Sequence, residues 1–187
     1  MRVKVCGLTL VRDLRLAEAA GAEYVGIIVE ANSPRALGAQ AASLLARAAK
    51  AKPVYVTVDL EEDRLVALAE LRAPAAVQLH GVETPDQIEG LRQRLPGGIE
   101  LWKAVSLPVG AGPKEIQTAL ALAAGAAQAG AARVVLDTRV GGRSSGSTSV
   151  RLALDVAREF VSGCPVPCAL AGGLSPDDLQ ETWDWVG

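Results

Sequence analysis

The chain has 187 residues, half of them hydrophobic and about a fifth charged, with a formal net charge of -2. That length and apolar fraction bury one sizeable core, so a single domain over residues 1–187 is expected. The charges are interspersed, no apolar run approaches the roughly 20 residues of a membrane span, and the N-terminus lacks the layout of a secretory signal. These features exclude nucleic acid and membrane as partners and point to a cytoplasmic protein that acts on a small molecule.

Cys6, Cys164 and Cys168 make an odd count that does not build a disulfide framework. The spacing from Cys164 to Cys168 is wrong for a zinc or redox pair, and His80 is the single histidine, so no metal site is expected.

In chain order, an alternating strand over 3–6 leads to a helix capped by Thr9, carrying Leu14, Leu16, Ala17 and Ala20 and stopped by Gly21. An apolar run over 24–29, a turn through Ser33-Pro34-Arg35 and an alanine-rich helix over 40–50 follow. Strands over 54–58, 75–79, 99–104, 133–137 and 167–171 alternate with helices over 60–71, 84–95, 114–128, 150–161 and 176–185. That rhythm of seven βα units implies right-handed crossovers and a parallel sheet covered by helices. The turn Cys6-Gly7-Leu8-Thr9 is not the GxGxxG of a doubly wound nucleotide fold, so the expected architecture is a TIM (β/α)8-type barrel. No eighth strand and helix are evident in the sequence, which would leave two strands as open edges. The expectations this leaves are a chain truncated before its eighth unit, a homodimer in which another protomer covers the gap, or a degenerate relative.

In such a barrel the chemistry sits at the C-terminal strand ends, and the period of two decides which side chains face the lumen. It sends Val3 and Val5 to the helices and Lys4 and Cys6 inward; on strand six, Val134 and Leu136 go outward and Asp137 inward. Strand four puts Gln78 and His80 together on one face, and strand three offers Thr57 and Asp59 in the same way. For Lys103 on strand five the pattern does not decide. A thiol and a carboxylic acid at one barrel mouth suit paired proton transfer, which is isomerase chemistry. Arg35 in a βα loop is shaped to grip a carboxylate or a phosphate. Gly141-Gly142 and Gly172-Gly173 follow strands six and seven, where backbone N–H groups can line an anion site.

Six motifs stand in order along the chain: Lys4-Val5-Cys6-Gly7-Leu8-Thr9, Ser33-Pro34-Arg35, Val77-Gln78-Leu79-His80-Gly81, Lys103-Ala104-Val105, Leu136-Asp137-Thr138 and Leu170-Ala171-Gly172-Gly173. Taken together, they resemble the phosphoribosylanthranilate isomerase family of tryptophan biosynthesis. The resemblance implies a cofactor-independent Amadori rearrangement of a phosphoribosyl substrate, with Cys6 as general base and Asp137 as general acid. It assigns the anthranilate carboxylate to Arg35, a place in the pocket to Gln78 and His80, and the phosphate to Gly141, Gly142, Gly172 and Gly173. The sequence departs from the family's pattern after Gly142, where Arg143-Ser144-Ser145-Gly146-Ser147 stands. The alternative reading is a non-catalytic or degenerate phosphosugar-binding barrel related to the family.

Overall fold

A computed structural model describes residues 2–140, 143–144 and 151–186. The elements are β1 (Lys4–Cys6), α1 (Val11–Ala19), β2 (Tyr24–Ile28), α2 (Ala39–Ala48), β3 (Lys52–Thr57), α3 (Glu62–Leu71), β4 (Ala76–Leu79), α4 (Pro85–Arg94), β5 (Glu100–Pro108), α5 (Pro113–Gln128), β6 (Arg133–Val140), β7 (Arg143–Ser144), α6 (Leu154–Gly163), β8 (Cys168–Leu170) and α7 (Leu179–Val186). The chain divides into two compact units, Met1–Trp102 and Lys103–Gly187.

In the first unit β1, β2, β3 and β4 lie side by side in sequence order, all parallel, with Cys6 opposite Gly26, Val54 opposite Ala76 and Val56 opposite Gln78. The N–H of Glu100, at the start of β5, donates to the Ala75 carbonyl. Consecutive parallel order is the winding of a (β/α) barrel; a doubly wound sheet would reverse its order at a switch point. One sheet face carries Val25, Ile27, Val29 and Tyr55, which pack with Leu14, Ala17, Ala42, Leu45 and Leu68 from α1, α2 and α3. Burying a side chain such as Leu14 or Ile27 stabilises the fold by ~1.5–3 kcal/mol. Val5 packs against this cluster, so the alternation leaves Lys4 and Cys6 on the opposite face with Tyr24, Gly26 and Ile28.

Two local expectations for this unit are corrected. Thr9 does not cap α1: Leu10 is the N-cap residue and makes no side-chain cap bond. The N–H groups of Gly7 and Leu8 both turn back to the Gly26 carbonyl, at 2.9 and 3.1 Å, so the helix starts after that turn has been completed. Thr57 does not share the lumenal face either. It pairs with Leu79, while Val56 pairs with Gln78, and its parity is that of Tyr55 in the helix-side core. By contrast α4 begins as its sequence indicates, with Thr84 and Gln87 forming a reciprocal capping box.

In the second unit β6 pairs in parallel with β8, Val134 opposite Cys168 and Leu136 opposite Leu170. Val134 and Leu136 join Val105, Leu107, Ile116, Ala119, Ala123 and Phe160 in a core between the strands and helices α5 and α6. Lys103 has the parity of Val105 on β5, which settles the face the sequence left undecided. The strand runs past Asp137 to Val140 and pairs antiparallel with Arg143–Ser144, where the sequence suggested only loop. Helix α6 starts at Leu154 rather than near 150, because Ala153 is still extended. Arg151, just before it, bridges to Asp178 at 3.0 Å and Glu181 at 3.1 Å, fastening this segment to the start of α7. No described helix is long and apolar enough to cross a membrane.

Candidate active site

Cys6 is the last residue of β1 and is exposed. Its neighbour across the ladder is Gly26, and a Cβ built there would lie 2.6 Å from the Cys6 sulfur and 3.1 Å from Lys4 Nζ. The thiol and the ammonium therefore both reach over bare backbone on β2. Gly7 follows with φ of +81°, a conformation that glycine adopts without steric cost, and the chain leaves the sheet there.

The loop after β2 brings Arg35 to the same place. Its ends are stitched by the Leu37 N–H donating to the Ile28 carbonyl at 2.9 Å and the Glu30 N–H donating to the Leu37 carbonyl at 3.1 Å. Within it the Ser33 hydroxyl accepts from the Arg35 N–H at 3.2 Å, a local turn that orients the arginine. Arg35 Nη1 then donates to the Cys6 carbonyl at 3.3 Å, and a side chain at Gly7 would run into the guanidinium. Cys6 and Arg35, 29 residues apart, are thus held against each other.

On β4, Gln78 is almost fully buried and its side-chain amide nitrogen lies 2.8 Å from His80 Nδ1. The His80 N–H donates to the Thr57 carbonyl at 2.8 Å, which continues the β3–β4 ladder to the mouth. Beyond it the loops are locked by two carboxylates. Glu83, 9% exposed, accepts from the Gly81 and Asp59 N–H groups at 3.1 Å, and Asp59 accepts from the Val82 N–H at 2.6 Å. Asp59 itself has φ of +47°. It is not a lumenal acid but a tie between two loops.

In the second unit Asp137 is 2% exposed and sits on the face of β6 opposite Val134 and Leu136. The end of β8 is fixed beside it by the Ala171 N–H donating to the Leu136 carbonyl at 2.8 Å. Gly172 and Gly173 then take φ of +88° and +68°, two successive left-handed residues that a side chain would strain. Gly141 and Gly142 lie outside the described residues. Among the described residues no three His, Cys, Asp or Glu side chains cluster to hold a metal ion.

Of the predicted site residues, Cys6 with Arg35, and Gln78 with His80, are brought together in the first unit; Asp137, Gly172 and Gly173 belong to the second. Gly26 and Glu83 were not anticipated. A glycine inside an apolar strand signals close approach by another group, so Gly26 was legible; nothing in the pattern around Glu83 announces a buried carboxylate.

Comparison with known proteins places the chain in a family. The model of the N-(5'-phosphoribosyl)anthranilate (PRA) isomerase family matches residues 3–187. The N-(5'-phosphoribosyl)anthranilate isomerase of Rhodopseudomonas palustris strain HaA2 is 34% identical over 185 residues, covering 96% of this chain and 78% of that protein. A crystal structure of monomers generated from the dimeric phosphoribosylanthranilate isomerase of Thermotoga maritima covers all of this chain and 82% of its own, with a TM-score of 0.78 at 24% identity. A phosphoribosylanthranilate isomerase in complex with reduced 1-(o-carboxyphenylamino)-1-deoxyribulose 5-phosphate covers the whole chain and 82% of its own, with a TM-score of 0.78 at 22% identity. These last two similarities establish the barrel-type fold.

Proposed function

The chain belongs to the N-(5'-phosphoribosyl)anthranilate isomerase family, and from that premise we propose that Cys6 and Asp137 carry out the family's Amadori rearrangement in tryptophan biosynthesis. The enzyme is an isomerase, and its substrate is a phosphoribosyl small molecule. The observation that carries the residue assignment is Cys6 itself. It is the last side chain of β1 on the face away from the helices, exposed, with Gly26 leaving its sulfur room.

Asp137 protonates the furanose ring oxygen; the bond from that oxygen to C1 breaks, and the anilinic nitrogen lone pair forms the C=N bond of a Schiff base. Cys6 then removes the proton from C2; the electrons of that C–H bond form the C1=C2 bond of an enamine as the C1=N π pair returns to nitrogen. As C1 regains a proton and the C2 hydroxyl loses one, the ketone appears. Atoms and electrons balance within one molecule, so no oxidant or cofactor enters. General acid and base groups of this kind contribute about 10²–10⁴-fold each.

Arg35 holds the anthranilate carboxylate, for which its planar fork is shaped. Gln78 and His80 contribute to the pocket, and Gly172 and Gly173 offer N–H groups to the phosphate, together with Gly141 and Gly142. We read residues 1–187 as one barrel-type domain, cytoplasmic, that pairs with a second copy of itself; light scattering at twice the chain mass supports the pairing and a monomer contradicts it. The test of function is turnover: anthranilate-linked ribosyl phosphate disappears and the ribulose isomer accumulates in proportion to protein. Binding of the reduced product analogue without turnover would sink the catalytic reading and favour the non-catalytic barrel.

A further inference from the structure

The turn that follows β8 is short and pinned at both ends. Its near end is fixed where the Ala171 N–H donates to the Leu136 carbonyl at 2.8 Å. Its far end is Ser175, whose N–H and hydroxyl both donate to Asp178 Oδ2, at 3.1 and 2.5 Å. The Asp178 N–H returns to the Ser175 carbonyl at 3.1 Å, closing the single helical turn Pro176–Asp178 that leads into α7. Pro176 adds a steric constraint, because the residue before a proline is kept extended, and Ser175 has φ of -108° and ψ of 163°. Only Gly172, Gly173 and Leu174 lie between these anchors, with both glycines in the left-handed region. Glycine loses more conformational freedom on ordering than any other residue, so two in succession keep one conformation only where their flanks impose it.

The other oxygen of the same carboxylate faces a cation. Arg151 Nη1 lies 3.0 Å from Asp178 Oδ1, and Arg151 Nη2 donates to Glu181 at 3.1 Å. An uncompensated carboxylate so close to an anion site would repel its ligand; Asp178 is matched by Arg151 and by the two hydrogen bonds from Ser175. We propose that Asp178 is a positioning residue that, through Ser175, holds the Gly172–Gly173 turn in the conformation that receives the substrate's phosphate. This rests on the reading of those glycines as the phosphate ligands; Asp178 itself does not touch the phosphate. A turn set in advance binds an anion without first having to be ordered, and preorganisation of that kind raises affinity.

Two fragments separate the ends of the substrate. Inorganic phosphate is titrated against the full chain by 31P line broadening, and anthranilate by 1H saturation transfer. Asp178→Ala should weaken phosphate about tenfold, the order expected for losing one or two ordered groups, and leave anthranilate unchanged. Asp178→Asn, whose remaining oxygen still accepts from Ser175, should restore most of the loss. In turnover, KM should rise in Asp178→Ala with little change in kcat. Wild-type phosphate affinity in Asp178→Ala, or equal losses for both fragments, overturns the proposal. If Asp178→Ala does not fold, Ser175→Ala removes only the hydroxyl bond and should show the same selective loss to a smaller degree; unchanged phosphate affinity there is equally fatal. Gly173→Ala tells the two readings apart. If it loses phosphate while Asp178→Ala does not, the glycine turn is the phosphate site and only the role of Asp178 falls. If neither variant loses phosphate, or the wild-type protein binds none, the glycine reading falls and this proposal with it.

Discussion

Gly26 stands directly across the ladder from Cys6, and a single methyl group on it would sit 2.6 Å from the sulfur. The Cys6 side chain, and Lys4 beside it, occupy space that only a glycine leaves. Gly26→Ala should therefore push the thiol out of place without disturbing the helix-side core. We expect kcat to fall by about 10²-fold, the scale of a displacement near 1 Å in an active site, while the circular dichroism spectrum and melting temperature stay close to wild type. Wild-type kcat in this variant would show that the sulfur has freedom to spare.

Arg35 should behave as a binding residue. Arg35→Ala is expected to raise KM by about 10²-fold, and Arg35→Lys by less, because an ammonium keeps the charge but loses the planar fork. Steady-state kinetics over a range of substrate concentration separates KM from kcat. If kcat alone falls, the arginine serves the chemistry through its bond to the Cys6 carbonyl rather than the substrate carboxylate.

Glu83 is a stability prediction. It is buried and receives two backbone N–H groups, from Gly81 and Asp59, so Glu83→Ala strands both donors. The expected loss is about 1–3 kcal/mol in urea unfolding, with Glu83→Gln milder because one accepting oxygen remains. An unchanged midpoint in Glu83→Ala would mean that water replaces the carboxylate fully.

Much of this arrangement was readable from residues alone. Hydrophobic alternation on β1 and β6 put Cys6 and Asp137 opposite Val5 and Leu136, and the helix-side packing of Val5, Val134 and Leu136 bears that alternation out. What escaped were features that depend on contacts between distant segments. The role of Asp59 became visible only once Gly81 and Val82 were beside it, because a carboxylate after a strand reads equally as an acid, a cap or a tie. The face of Thr57 was misread because the apolar run Val54-Tyr55-Val56 has no polar alternation to say which parity faces the helices; the register of β3 against Ala76–Leu79 settles it. Arg143–Ser144 could not be foreseen as a strand, since a two-residue antiparallel pair carries no periodicity.

Alkaline pH should weaken the fold through two groups, the buried Tyr55 and the half-buried Cys168. Burial pushes the Cys168 thiol from 9.0 up to about 12, with Cys164 beside it adding to the rise, and burial pushes the Tyr55 phenol from 10.0 up to about 12. The folded state keeps protons that the unfolded chain has already lost, so the stabilising effect is full below pH 9 and drains away between pH 9 and 12. One such group changes stability by at most about 1.4 kcal/mol per pH unit. Urea unfolding across that window should show a falling free energy whose slope becomes shallower in Cys168→Ala. A flat profile in the wild-type protein would contradict the burial of the thiol.

The measurement that tests the central claim most directly is kcat on N-(5'-phosphoribosyl)anthranilate for Cys6→Ser, Asp137→Asn and the double variant, alongside binding of the reduced product analogue. Each single variant should lose about 10²–10⁴-fold in kcat while still binding the analogue, and the double variant should fall little further, as groups that act in one sequence do. Full wild-type kcat in either single variant would contradict the assignment of base and acid.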